Sequence, residues 1–157
     1  MGQISISSSN FTDGSGFMVH GVESGIEFNE VRMYNSSDTL QQGHGLKCTQ
    51  CTQIAINASS FENMESKEGG AIYLETLSAD SYMINSFFKG NKAIYGGAIN
   101  LLDTTFIEME NNTFYNNSAS SIVQGESEGE GGAIYYACDP DNNFNYDCDV
   151  VLRNNTF

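Results

Sequence analysis

Phe106-Ile107-Glu108-Met109-Glu110-Asn111-Asn112-Thr113-Phe114 sets two apolar residues, Ile107 and Met109, two apart and follows them, after four positions, with Phe114. Written Φ-x-Φ-x4-F, with Φ apolar, the pattern returns along the chain. Ile4, Ile6 and Phe11 satisfy it, as do Ile54, Ile56 and Phe61, and again Val150, Leu152 and Phe157. Ile26, Phe28 and Met33 keep it with methionine in place of the ring, and Ser81, Met83 and Phe88 keep it with one polar slip. The closing positions are 11, 33, 61, 88, 114 and 157, so successive spacings are 22, 28, 27, 26 and 43. Self-similarity at such a period is the signature of a solenoid.

A second phrase runs in phase with the first. Gly69-Gly70-Ala71-Ile72-Tyr73-Leu74 returns as Gly96-Gly97-Ala98-Ile99-Asn100-Leu101 and as Gly131-Gly132-Ala133-Ile134-Tyr135-Tyr136, with fainter echoes at Gly16-Phe17-Met18-Val19 and Gly45-Leu46-Lys47-Cys48. Both phrases alternate apolar and polar residues, the period of a strand. Asparagine, serine and glycine punctuate them, and no window carries a helical stripe. A coil of about 25 residues with two or three short strands cannot bury its own apolar face, but it can when stacked on neighbours at about 4.8 Å. The expected fold is therefore all-β: a parallel β-helix of about six coils, right-handed by the usual rule for crossovers between parallel strands. Ile4, Ile26, Ile54, Ile107 and Val150 should form one inward column, and Phe11, Phe61, Phe88, Phe114 and Phe157 another. The glycine pairs belong at corners that need positive φ or close backbone approach.

GGAIYL, GGAINL and GGAIYY, alternating with Phe88-Lys89-Gly90-Asn91 and Phe114-Tyr115-Asn116-Asn117, resemble the GGAI and FxxN repeats of chlamydial polymorphic outer-membrane proteins. They are also similar to repeats in large pectin-lyase-like surface proteins of ciliates and other protists. The resemblance covers residues 54 to 157 well and 1 to 53 poorly; Phe11, Met33 and Phe61 are each followed by residues that break FxxN. It implies a right-handed β-helix passenger region at the cell surface or outside the cell, with a scaffold role and no catalytic residues.

The rest of the sequence agrees with a single domain. Six Lys plus Arg against 20 Asp plus Glu leave a net charge of −14 over 157 residues, which repels nucleic acid and anionic membranes. There is no apolar run long enough to span a bilayer, no visible signal peptide and no myristoylation signal at Met1-Gly2-Gln3. Solenoids need polar caps, and neither end supplies one. The expectation is a piece of a longer solenoid, its partners being further coils or copies of itself stacked end to end.

Two insertions interrupt the repeat. Residues 120 to 130 carry Glu126, Glu128 and Glu130 among glycines and read as a solvated acidic loop. Residues 137 to 149 enclose Cys138 and Cys148 and contain the one proline. Cys48 and Cys51, with His44 nearby, have the spacing of half a zinc site, but the second cysteine pair lies roughly 14 Å along the axis, too far for one ion. Disulfides suit an extracellular solenoid better. Cys138 with Cys148 would close the inserted loop, and Cys48 with Cys51 would need a turn between them. Asp139, Asp141, Asn143, Asn145 and Asp147 set hard oxygen donors at alternate positions, which suits calcium. Phe144 stands where such a loop wants glycine and no glutamate closes it, so the segment reads as a polar surface loop, with calcium the weaker alternative and no other cofactor expected.

Asn10, Asn35, Asn57, Asn111, Asn116 and Asn154 each open an N-x-S/T sequon. An Asn- and Ser-rich chain makes sequons by composition alone; passage through a secretory pathway would put glycans on some of them. A catalytic carboxylate pair on a β-helix arises most readily at one phase in adjacent coils, and the other candidate, Glu108 with Glu110 along one strand, reads as a solvated pair. The outward columns read Ser5, Glu27, Ala55, Tyr82, Glu108, Val151 and Ser7, Asn29, Asn57, Ile84, Glu110, Arg153, so no acid has an acidic neighbour one coil away and Glu110 is set to pair with Arg153. His20 and His44 fall at different phases, and no nucleophile elbow, phosphate loop or dinucleotide motif is present. Two function classes remain: a non-catalytic extracellular structural or adhesive glycoprotein segment, or a carbohydrate-binding, degraded pectin-lyase-like module using Tyr73 and Tyr135 with Asn100 interrupting their column.

Overall fold

A computed structural model describes residues 3–14, 16–21, 25–120, 129–139 and 148–157, without side chains for 38–41. The first coil holds β1 (Ile4–Ser7), β2 (Asn10–Thr12) and β3 (Phe17–His20). The second holds β4 (Ile26–Asn29), β5 (Arg32–Tyr34), β6 (Ser37–Gln42) and β7 (Leu46–Thr49). The third holds β8 (Ile54–Asn57), β9 (Ser60–Glu62), β10 (Glu65–Glu68) and β11 (Ile72–Glu75). The fourth holds β12 (Ser81–Ile84), β13 (Phe87–Lys89), β14 (Lys92–Ala93) and β15 (Ile99–Leu102). The fifth holds β16 (Phe106–Glu110), β17 (Thr113–Tyr115), β18 (Ser118–Ala119) and β19 (Ile134–Ala137), and β20 (Asp149–Arg153) begins a sixth.

Every pairing is parallel, and each strand pairs with its counterpart one coil away. The first sheet runs β1-β4-β8-β12-β16-β20, the second β2-β5-β9-β13-β17, the third β6-β10-β14-β18 and the fourth β3-β7-β11-β15-β19. The chain is thus a parallel β-helix, with no α-helix among the described residues. The expected columns are present: Ile4 pairs Ile26, Ile26 pairs Ile54, and Ile107 pairs Val150. Phe61, Phe88, Phe114 and Phe157 stack with centroids 5.2, 4.9 and 5.0 Å apart and rings within 7° of parallel. Phe11 heads the same column and pairs Met33.

Coils have up to four strands, one more than the alternation suggested. The extra sheet escapes a pattern reading because β14 and β18 are two residues long, too short to alternate. What makes a coil four-sided is a left-handed residue after each strand. Ser8, Glu30, Ala58, Asn85, Asn111 and Asn154 form one such column, with φ between 46 and 55°. Asp13, Asn35, Asn63, Gly90 and Asn116 form the second, Gly43, Gly69, Gly96 and Gly131 the third, and Gly21, Gln50, Thr76 and Asp103 the fourth. Asparagine tolerates this conformation better than most residues, and glycine without cost.

The interior is a slim apolar stack in which Ile54, Ile72, Met83, Phe88, Leu101, Ile107 and Met109 are fully buried. Ser81, the polar slip in the isoleucine column, is also buried, and its hydroxyl accepts the Ile54 N–H at 3.0 Å and donates to the Ala79 carbonyl at 3.1 Å. Hydrogen bonding at both ends removes the cost of burying it.

Candidate functional site

The corner between the first and second sheets explains the asparagine doublets. In Asn111-Asn112 and Asn154-Asn155 the first residue takes the left-handed corner and is exposed, while the second turns inward. Asn112 is 1 % exposed; its amide donates to the Met83 carbonyl at 2.8 Å and its Oδ1 accepts the Ser86 N–H at 2.8 Å. Asn155 repeats this on Met109 and Asn112, and Ser59 and Ser86 fill the same place in earlier coils. At the next corner Asn91 bonds Phe61 and Met64, and Asn117 bonds Phe88 and Asn91. The FxxN asparagine is therefore an internal strut that satisfies backbone groups at a bend.

Of the sequon residues, Asn10, Asn35, Asn111, Asn116 and Asn154 are exposed. Asn57 differs: it is half-buried and bonded along the stack, donating to Asn29 Oδ1 at 3.0 Å and accepting from Asn85 at 3.4 Å. Asn10 and Asn35 line one open polar hollow with Arg32, Tyr34, Ser60 and Glu62.

Both disulfides are formed. Gln50, at φ 57°, supplies the turn that brings the α-carbons of Cys48 and Cys51 to 6.1 Å, and both residues lie in the core. Cys138 and Cys148 join with α-carbons 6.3 Å apart, half-buried at the rim. Of the calcium candidates only Asp139 lies among the described residues; it is exposed and its N–H donates to the Asp103 carboxylate at 2.8 Å. Asp141, Asn143, Asn145 and Asp147 lie outside them, as does most of the 120–130 loop, and no metal-ligand cluster is present among the described residues.

The outward face of the first sheet has the register expected, with one correction. Glu110 pairs Arg153 across the strands, yet the ion pair forms diagonally, Arg153 Nε to Glu108 Oε1 at 2.8 Å. Strand register fixes which α-carbons face each other, whereas a long guanidinium reaches the diagonal neighbour as easily. Glu27 stands between Ser5 and Ala55, and Glu108 between Tyr82 and Val151. His20 is exposed and bonds Thr49 Oγ1 at 2.7 Å, whereas His44 is buried before β7.

A groove lies where the third sheet bends into the fourth; the sequence named most of its floor, the column of Tyr73, Asn100 and Tyr135, and missed its wall. Its floor is the outward column Lys47, Tyr73, Asn100, Tyr135. Its wall is the column Gln42, Glu68, Tyr95, Glu130. Each wall residue precedes its floor residue by five positions, with the left-handed glycine between, and that constant offset was the available signal. Lys47 Nζ donates to Gln42 Oε1 at 2.7 Å and sits 5.6 Å from the Tyr73 ring centre, and Gln42 in turn donates to Glu68 at 2.9 Å. The Tyr95 and Tyr135 rings meet at 5.3 Å. Tyr73 and Asn100, though in an outward column, are 3 % and 1 % exposed, so Tyr73 offers no ring face to a sugar. Burial, then the charges of Glu75 and Glu68, hold the Tyr73 hydroxyl well above the usual phenol range, and it hydrogen-bonds Glu75. Asn100 Oδ1 is buried without a hydrogen-bond partner.

No curated protein and no solved structure matches the chain. Residues 113–137, which comprise the last three strands of the fifth coil, match the family model of the Chlamydia polymorphic membrane protein (Chlamydia_PMP) repeat.

Proposed function

We propose that this chain is a segment of a non-catalytic, cell-surface or extracellular β-helix scaffold, which presents an acidic and glycan-bearing exterior on a repeating stack. The observation that carries the reading is the match of a polymorphic membrane protein repeat to residues 113–137, in phase with β17, β18 and β19. The geometry supports it: the repeated residues are spent on the interior and the corners, and the outward positions vary from coil to coil. Of the five exposed sequon asparagines, four stand at left-handed corners of coils two, five and six, where a glycan would project from the surface. Intact mass of natively sourced protein tests this. A mass above the polypeptide, with occupancy at Asn10, Asn35, Asn111, Asn116 or Asn154 before Asn57, supports a glycoprotein. A bare polypeptide overturns that part. Labelling of intact cells with a membrane-impermeant amine reagent tests exposure at the surface, and Lys67, exposed on the third sheet, is a suitable reporter.

A further inference from the structure

Sequons and tyrosines coincide at the corner that closes the second sheet. The last strand position before that corner reads Thr12, Tyr34, Glu62, Lys89 and Tyr115 in successive coils. The corner itself reads Asp13, Asn35, Asn63, Gly90 and Asn116. The two coils with a sequon at the corner, Asn35-Ser36-Ser37 and Asn116-Asn117-Ser118, are the two with a tyrosine before it. The other exposed sequons follow Ser9, Glu110 and Arg153. Tyr34 and Tyr115 both face outward and stay exposed.

An exposed ring beside an attachment point is the setting for a sugar. A pyranose has an apolar face of C–H groups to lay on the ring, and hydroxyl and acetamido groups that need donors and acceptors at its edge. At Asn35 both are present. Asn35, Tyr34 and Asn10 open onto a hollow of about 390 Å³, whose other walls supply the Arg32 guanidinium, the Ser60 hydroxyl and the Glu62 carboxylate. Asn63 donates to Asn35 Oδ1 at 3.3 Å, which holds the amide and leaves its Nδ2, the atom a glycan takes, without a partner among the described residues. We propose that Tyr34 and Tyr115 seat the first N-acetylglucosamine of glycans on Asn35 and Asn116, so that these two glycans lie back along the second sheet while those on Asn111 and Asn154 project. Such seating rests on the glycosylation proposed above and adds to it which sugars are held, and by what. The covalent tether fixes the occupant: a sugar on Nδ2 begins one residue from the tyrosine and needs no capture from solution.

The chain secreted from eukaryotic cells, with its glycans trimmed enzymatically to single N-acetylglucosamines, tests the proposal. Peptide mass spectrometry gives the occupancy of each site, and proton resonances give the surroundings of each sugar. Ring protons of the sugars on Asn35 and Asn116 should lie upfield of those of free N-acetylglucosaminyl-asparagine, because an aromatic face shields them. Tyr34→Ser should return the Asn35 sugar to the free position and leave the Asn116 sugar where it was. Ser37→Ala, which removes the Asn35 sequon, should lower the melting temperature by about 3 °C in the parent and not in the Tyr34→Ser background. Sugars on Asn35 and Asn116 with free resonances would overturn the seat and leave the glycoprotein reading standing, as would glycans confined to the other sequons. A chain bare at every sequon overturns both. Should the serine variant not fold, the sugar resonances of the parent decide alone.

Discussion

At the residue scale, the two members of an asparagine doublet do opposite work. Asn112→Leu strips partners from the Ser86 N–H and the Met83 carbonyl inside the stack, and should cost about 3 kcal/mol in urea unfolding. Asn111→Gly, one residue earlier at φ 54°, should change stability by less than about 0.5 kcal/mol, because glycine takes that conformation freely. Tyr73 predicts an alkaline effect. Its folded phenol ionises at higher pH than its unfolded one, so the stability it contributes is full below about pH 10 and is lost as pH rises beyond. A spectrophotometric titration should find one tyrosine ionising last, and Tyr73→Phe should remove it. The sequence made the inward apolar columns legible through strict spacing. It hid the Asn112 strut and the Arg153–Glu108 pair, because a polar residue's partners depend on the bend and on side-chain reach.

At the scale of the element, corners rather than strands set the cross-section. A Cβ at Gly96 would overlap the carbonyl of Ile99, and φ there is 62°, so Gly96→Ala should lower the melting temperature by several degrees. Gly132→Ala meets nothing within 4 Å and should melt as the parent does. The disulfides divide in the same way. Thiol-labelling mass spectrometry under graded reductant should find Cys138–Cys148 opened first, since Cys48 and Cys51 are 0 % and 1 % exposed and the rim pair is half-buried. The glycine pairs announced one corner in the sequence. The third sheet stayed hidden because its two-residue strands exist only through pairing with the coils on either side.

For the whole molecule, each coil leans only on its neighbours, so damage travels along the axis. Met109→Asp buries a carboxylate where the parent residue is 0 % exposed, costs several kcal/mol, and should broaden the thermal transition by uncoupling coils four to six. Ile4 and Phe11 at one end of the described stack, and Leu152 and Phe157 at the other, are exposed members of inward columns. The polypeptide 1–157 should therefore stack end to end, giving filaments with an axial repeat of about 26 Å in electron micrographs. Leu152→Lys should return monodisperse rods with the parent's melting temperature, and persistent filaments in that variant would place the contact elsewhere. From Phe88 to Phe114 the chain spends 26 residues, and from Phe114 to Phe157 it spends 43, yet the rings lie 4.9 and 5.0 Å apart. The molecule keeps count in rungs, not in residues. Its surface is free to grow new loops at any corner, as a bookshelf takes books of any depth, while the shelves stay level.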